Sequence, residues 1–344
     1  MVSHQPGNLP DVPELSVLLA DPRTQEPLQW RGDGVYDRSG RRRAPIADGV
    51  AEFVSDPTQD HFGLQWNRFA RTQFDSHTGT TVSRDRLTHQ SGLRLADFAG
   101  RTVLEVGCGA GRFTEVLLGA GASVVSLDFS SAVHANRSAH ALAEREGRAL
   151  FARADVFELP VRRRAFDIVL CYGVLQHTGA PRRALRCLWE AVAPGGLLLV
   201  DRYRIGLRNT VPAKYALRPL TRRLGSERLL TAVRASVDTL LPHELSLLGH
   251  LQGGGVRGLA RLAVNRAAPN SVYPVNLHLA GRLDYETARI WSTLDTFDMY
   301  GPRYDSPQRF RSFRRDLHAL EDGDVVRCII CGQGNAGAVR RAHR

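Results

Sequence analysis

The sequence predicts an α/β protein with a doubly wound parallel sheet, and three observations carry that prediction. Between residues 101 and 203, short apolar runs alternate with helical stretches, the pattern of repeated strand–helix units. One run, Val103–Val106, opens into a turn with glycine at alternate positions, Gly107, Gly109 and Gly111. Carboxylates, Asp128 and Asp155, end the next two runs, where strands of an open sheet present their ligand-binding edge.

The elements follow in order. Thr102–Val106 reads as a buried strand, Gly107–Gly111 as a turn and Arg112–Leu118 as a helix. Ser123–Leu127 is the second strand, followed by a helix over Ser131–Glu146. Leu150–Arg153 is a short third strand and Phe166–Tyr172 a fourth. A helix over Pro181–Val192 is stopped by Pro194-Gly195-Gly196, and Leu197–Asp201 is the fifth strand. Single helices between strands imply right-handed crossovers. Outside this region, residues 1–58 are rich in Pro, Gly and Asp and read as a small module of turns and short strands. Residues 204–290 are Arg- and Leu-rich and helical, interrupted by a loop at Gln252–Gly255. Residues 291–344 return to an αβ pattern, with a helix near Pro307–Leu320 and an apolar run Val325–Ile330. The expected division is therefore a module 1–58, an α/β domain of 59–203 with 291–344, and a helical insertion 204–290.

Composition bounds the function. With 344 residues, 43% hydrophobic and 24% charged, the chain can bury a sizeable core. No apolar run approaches the ~20 residues of a membrane span. Met1–Leu19 lacks a basic region followed by an apolar core. The five scattered cysteines, Cys108, Cys171, Cys187, Cys328 and Cys331, do not make a disulfide framework. These features point to a cytoplasmic protein without a membrane partner. The net charge of +11 suits an anionic partner or a solvated basic surface, and Lys214 is the only lysine. Cys328 and Cys331 have zinc or redox spacing, but with no second pair they read as strand residues.

The glycine turn permits positive φ and lets a ligand lie against the backbone, at the start of a helix with unpaired N–H groups. Dinucleotide folds place their third glycine where this chain has Arg112, so no pyrophosphate fingerprint results. Asp128 can take both ribose hydroxyls, and Asp155 beside Val156 and Phe157 suits an adenine ring. Here the resemblance is plain. Glu105-Val106-Gly107-Cys108-Gly109-Ala110-Gly111 resembles motif I of the class I S-adenosylmethionine methyltransferases; Phe166–His177 resembles the fourth-strand motif and Ala193–Gly196 the turn before strand five. The resemblance implies S-adenosyl-L-methionine as cofactor. It also implies a Rossmann-like seven-stranded sheet of order 3-2-1-4-5-7-6 with strand 7 antiparallel, Val325–Ile330 being one of the closing strands. It assigns Glu105 to the methionine amino group, Asp128 to ribose and Asp155 to adenine, with Gly107, Cys108, Gly109, Gly111, Phe129, Val156, Tyr172 and Gly173 around the cofactor.

The acceptor side is less sharply marked. Polar residues Gln73, Asp75 and His77, with Arg84 and Arg86 after them, suggest a lid before motif I, where an arginine could meet the cofactor's carboxylate. The insertion, with Arg218, Arg222 and Arg223, would cap an acceptor that can be anionic. Asp295–Asp305 is dense in polar and aromatic groups and is expected at the acceptor, with Phe297, Tyr300 and Tyr304 as binding residues. Methyl transfer to an alcohol or acid must manage one proton; His177, Asp298 and His77 are the candidate bases, in that order. No metal is required. The expected function is O-methylation of a small molecule, a sugar or secondary-metabolite hydroxyl or carboxyl. RNA or peptide methylation and a non-catalytic scaffold are the alternatives; nucleic acid is disfavoured because Tyr172-Gly173-Val174-Leu175 stands where base methyltransferases carry an Asn/Asp-Pro-Pro-aromatic motif. Residues 19–54 also resemble the zinc ribbon that precedes some methyltransferases, but no cysteine comes before Cys108, so the likeness is one of shape.

Overall fold

The computed structural model describes residues 14–54, 61–206, 212–332 and 334–343; positions 1–13 and 55–58 of the expected N-terminal module lie outside the described residues. Eleven strands form its sheet: β1 (Gln29–Arg31), β2 (Gly34–Tyr36), β3 (Arg42–Ala47), β4 (Val50–Glu52), β5 (Thr102–Val106), β6 (Ser123–Asp128), β7 (Ala149–Arg153), β8 (Phe166–Cys171), β9 (Val192–Tyr203), β10 (Gly323–Cys331) and β11 (Gly334–Arg341). Their spatial order is β1-β2-β3-β4-β7-β6-β5-β8-β9-β11-β10. Counted from β5 as the first, the last seven stand as 3-2-1-4-5-7-6, and β11 runs antiparallel to both neighbours. The sheet is larger than the seven strands expected because β4 pairs parallel with β7, Ala51 opposite Ala152 and Glu52 opposite Arg153. This joins the N-terminal module to the sheet edge.

The parallel strands are buried on both faces, which is why they read as unbroken apolar runs. Leu104, Val125 and Val169 belong to the core on one face, and Val103, Val124 and Ile168 to the core on the other. Alternate side chains thus supply two separate cores.

Three expectations are corrected. The helix expected over Ser131–Glu146 is broken into Ala132–Ala139 and Ala141–Arg145. At the break His140 leaves helical geometry with φ −119°, and the Asn136 carbonyl accepts its backbone N–H while lying 3.0 Å from its ring Nδ1. Pro194-Gly195-Gly196 does not precede the fifth strand but lies inside β9, where the register against β8 shifts between Phe166 and Ile168. Gly195 takes φ +76°, and a Cβ on Gly196 would stand 2.8 Å from the Asp167 carbonyl oxygen, so the pair makes an irregular entry to the strand. Finally, the boundary at 290/291 falls inside the helix Tyr285–Tyr300.

That helix packs with Ser226–His250 and Tyr273–Leu279 around a third core of Leu230, Val237, Val275, Trp291 and Phe297. Phe69 and Val82, from the segment before β5, belong to the same core. The segment expected as a lid and the insertion expected as a cap therefore pack as one body. Among the described residues, no helix is long and apolar enough to cross a membrane.

Candidate active site

The glycine turn sits at the carboxyl end of β5. Gly107, Gly109 and Gly111 all have positive φ, +78°, +53° and +102°. A Cβ on Gly107 would lie 2.1 Å from Val174 Cγ2, so the turn abuts the end of β8 and admits no side chain there. Gly111 is the N-cap residue of the helix Arg112–Gly119. Gly107 and Cys108 both donate their backbone N–H to the Leu127 carbonyl, at 2.7 and 3.1 Å. Cys108 itself is buried, and burial pushes its thiol well up, so it serves as a small residue in the turn. Trp66, on the helix His61–Arg68, lies over the turn: a Cβ on Gly109 would meet its indole at 3.4 Å.

Three carboxylates line the strand ends. Glu105 is buried on β5; its Oε2 accepts from Thr114 Oγ1 at 2.5 Å and from Ser126 Oγ at 3.2 Å. Its Oε1 has no hydrogen-bond partner among the described residues. Burial pushes this carboxyl up to about 7, against the opposing pull of the two hydroxyls. Asp128 holds the turn as well as facing it: Oδ2 accepts the Gly109 N–H at 2.7 Å, and Oδ1 accepts the backbone N–H and hydroxyl of Ser130 at 2.8 and 2.6 Å. Asp155 Oδ1 accepts the Phe157 N–H at 2.9 Å, fixing the loop in which Val156 is buried. Phe129 is half-buried, and its carbonyl accepts from Arg153 at 2.8 Å. The residues present fit the cofactor: an orphaned buried carboxylate oxygen meets the need of an ammonium group, and the three glycines add no side chain of their own to the turn.

A second polar group stands at the ends of β8 and β9 and escaped sequence reasoning in part. Asp201 accepts the Gly173 N–H and the Arg86 guanidinium, both at 2.6 Å. Tyr172 is buried, stacked edge-on against Phe113, and its hydroxyl has no partner among the described residues. Arg112 donates to Ser83 Oγ at 3.0 Å and Gln73 Oε1 at 2.9 Å, both neutral. Burial, reinforced by neighbouring Arg86, pushes Arg112 down to about 10. Asp295 accepts from Gln73 Nε2 and Trp291 Nε1, each at 3.2 Å, and burial together with Asp298 pushes it up to about 7.

The candidate bases separate. His177 closes the turn Leu175–His177 after β8, its Nδ1 3.1 Å from the Tyr304 carbonyl. A carbonyl only accepts, so Nδ1 carries the proton and Nε2 of the neutral ring is the basic nitrogen. Asp298 Oδ2 lies 4.0 Å from that Nε2 and accepts from the Tyr203 hydroxyl at 3.2 Å. Tyr203 also meets the His177 ring edge-on, centroids 5.6 Å apart. Lys214 sets its ammonium 5.0 Å from the Tyr203 ring centre and 2.7 Å from Asp305 Oδ2, with both ionic groups buried. His77, by contrast, is exposed on the short helix Asp75–Thr78. Phe297 is wholly inside the cap core, and Tyr300 is spent on the Pro269 carbonyl, to which its hydroxyl donates at 2.6 Å. Tyr304 is partly exposed and joins the cluster through its carbonyl. Arg218 is buried, donating to the Met299 and Pro302 carbonyls at 2.9 and 2.8 Å, so it anchors its helix.

Residues 104–200, from β5 through most of β9, match the methyltransferase domain family. That stretch is a methyltransferase domain. Over 104 residues the chain is 36% identical to a ubiquinone biosynthesis O-methyltransferase of Pseudomonas putida, covering 29% of this chain and 44% of the relative. Over 188 residues it is 28% identical to the tRNA U34 carboxymethyltransferase of Klebsiella pneumoniae, covering 53% of this chain and 54% of the relative. The chain thus spans about half the length of these curated relatives. A solved structure, the magnesium protoporphyrin IX methyltransferase of Synechocystis with bound S-adenosylhomocysteine, aligns over 83% of this chain and 98% of its own, with 15% identity and a TM-score of 0.44.

Proposed function

We propose that the chain methylates a hydroxyl or carboxyl oxygen of a small molecule, with His177 as the base that takes the acceptor's proton. The observation that carries this reading is the His177–Asp298–Tyr203 cluster, one short turn beyond Val174, against which the glycine turn is packed. Glu105 would hold the cofactor's amino group through Oε1, Asp128 its ribose, Asp155 and Val156 its adenine, and Arg86 with Arg112 its carboxylate. When bound, S-adenosylmethionine supplies a methyl group already activated on a sulfonium. The protein's own task is alignment, exclusion of water and removal of one proton.

His177 Nε2 is the proton acceptor. Asp298 offsets the charge of the imidazolium that results, and Tyr203 fixes the Asp298 carboxylate. Trp66, packed against the core of the cap helices, lies over Gly109 and would shield that part of the turn from water. A second reading, methylation of RNA, draws on the tRNA-modifying relative and the charge of +11. Methyl-labelled S-adenosylmethionine, offered with pools of small hydroxy and carboxy compounds, peptides and bulk tRNA, separates the two. Label in a small-molecule fraction that is lost in His177→Asn supports the proposal; label in tRNA alone rejects it.

A further inference from the structure

Two neighbouring helices of the insertion expose apolar side chains that nothing in the described fold covers. Pro212–Thr221 and the turn after it present Leu217, Leu220 and Leu224, spaced i, i+3, i+7, at 39%, 64% and 43% exposure. Val256–Ala267, packed beside it, has no buried residue and presents Val256 and Leu259 at 82% and 67%. Exposed Ala263 continues the same i, i+3, i+7 line.

The setting of these stripes is of one sign. Residues 202–226 contain no Asp or Glu, and neither do residues 245–283. Arg222, Arg223 and Arg257 are exposed beside the stripes. The first acid after the shorter stretch, Glu227, faces Arg68 at 3.4 Å.

We propose that this face docks on an anionic lipid surface, lying in the headgroup region rather than spanning it. An interfacial helix needs an apolar stripe to bury and cations to meet acidic headgroups, and this face has both. A second copy of the chain would bring two positive faces together. A single-stranded nucleic acid would call for aromatic platforms, and the face offers leucine and valine with Tyr215 the one aromatic, 37% exposed. The inference does not depend on the identity of the acceptor. It does touch the site: the first of these helices carries Lys214, stacked on Tyr203, so docking would bear on the cap at the acceptor.

Co-sedimentation of the full chain with vesicles of phosphatidylcholine alone, or with phosphatidylglycerol added, is the test. The expected result is binding to the anionic vesicles that falls steeply between low and high salt, with little on the neutral ones. Each basic residue near such a surface is worth about fivefold, from about 1 kcal/mol. Joint substitution Arg222→Gln, Arg223→Gln and Arg257→Gln should therefore weaken binding roughly a hundredfold. Leu220→Ser with Leu259→Ser should weaken binding while leaving its salt dependence; both sites are exposed, and unchanged thermal melting would show the fold intact. Equal binding to neutral vesicles, absence of binding to anionic ones, or indifference to the leucine substitutions would overturn the proposal. So would a dimer in sedimentation velocity that the leucine substitutions dissolve, since the face would then be a self-association surface.

Discussion

Glu105→Gln should stabilise the cofactor-free protein at alkaline pH while weakening its hold on the cofactor. Glu105 is buried, and its carboxyl is pushed from 4.5 to about 7. Its folded value lies above the unfolded one, so the folded chain keeps a proton that the unfolded chain gives up. The resulting stability is whole below about pH 4.5 and is lost as pH rises through 7. That interval corresponds to about 3 kcal/mol. Glutamine keeps the size and an acceptor for Thr114 but does not ionise. With unfolding entropy of about 2.1 cal/mol/K per residue, 3 kcal/mol over this chain is a Tm difference of roughly 4 °C. The variant should thus melt about 4 °C above the parent at pH 8.5 and level with it at low pH. Asp295, also raised to about 7, leaves a residual pH slope in the variant, which Asp295→Asn should remove. Cofactor binding runs the other way. An ammonium beside Oε1 favours the carboxylate, so binding below pH 7 should release a proton and tighten as pH rises. Thermal melting across pH 5–8.5, with titration calorimetry in two buffers of different ionisation enthalpy, measures both. Parallel melting curves, or proton uptake on binding, would refute the reasoning.

Asp128→Ala should weaken S-adenosylmethionine binding by about 1.5–3 kcal/mol in calorimetry, and should also lower Tm, because the Gly109 and Ser130 N–H groups lose their acceptor. His177→Asn should cut turnover roughly 10²–10⁴-fold with cofactor affinity nearly unchanged. Asp298→Asn and Tyr203→Phe should lower turnover by less, again without moving cofactor affinity; an equal fall in both quantities would place the cluster in cofactor binding instead. Lys214→Met should leave the buried Asp305 without its ion-pair partner and cost up to about 3–5 kcal/mol in denaturant unfolding, much of it recovered by adding Asp305→Asn.

Legibility in the sequence followed local constraint. β5, β6 and β8 announce themselves because a parallel strand buried on both faces reads as a near-continuous apolar run rather than an alternation. The glycine turn is legible because Gly107 has no room for a Cβ. β11 gave no such run: Gly334–Arg341 is rich in small residues, and the helix Phe310–His318 explains why, since a Cβ on Gly337 would come within 2.3 Å of Leu317. Its place between β9 and β10 depends on close approach by a helix, which alternation cannot reveal. The C-terminal cysteines were legible for the opposite reason: Cys328 and Cys331 are three apart on β10, so their side chains leave on opposite faces and share no ligand.

The acceptor side was legible only in composition, and composition misassigned its parts. The polar run Gln73–His77 suggests a lid, and most of it holds its own segment in shape. Asp75 accepts the N–H groups of Ser83 and Arg84, each at 2.9 Å, and Ser76 bonds to Glu115. Gln73 alone reaches inward, bridging Arg112 to Asp295 across the join between the lid segment and the cap. Likewise the helix Tyr285–Tyr300 splits the residues expected at the acceptor by its own periodicity: Phe297 and Tyr300, three apart, face the cap core, while Asp298 is turned toward Tyr203 and His177. The pairing of Asp298 with His177 spans 121 positions, and no spacing rule connects them. What joins them is the shared core that draws the cap and the lid segment together over the strand ends. For that reason substitutions inside that core, at Trp291 or Val237, should disturb the Asp298–His177 distance as much as substitutions in the site itself.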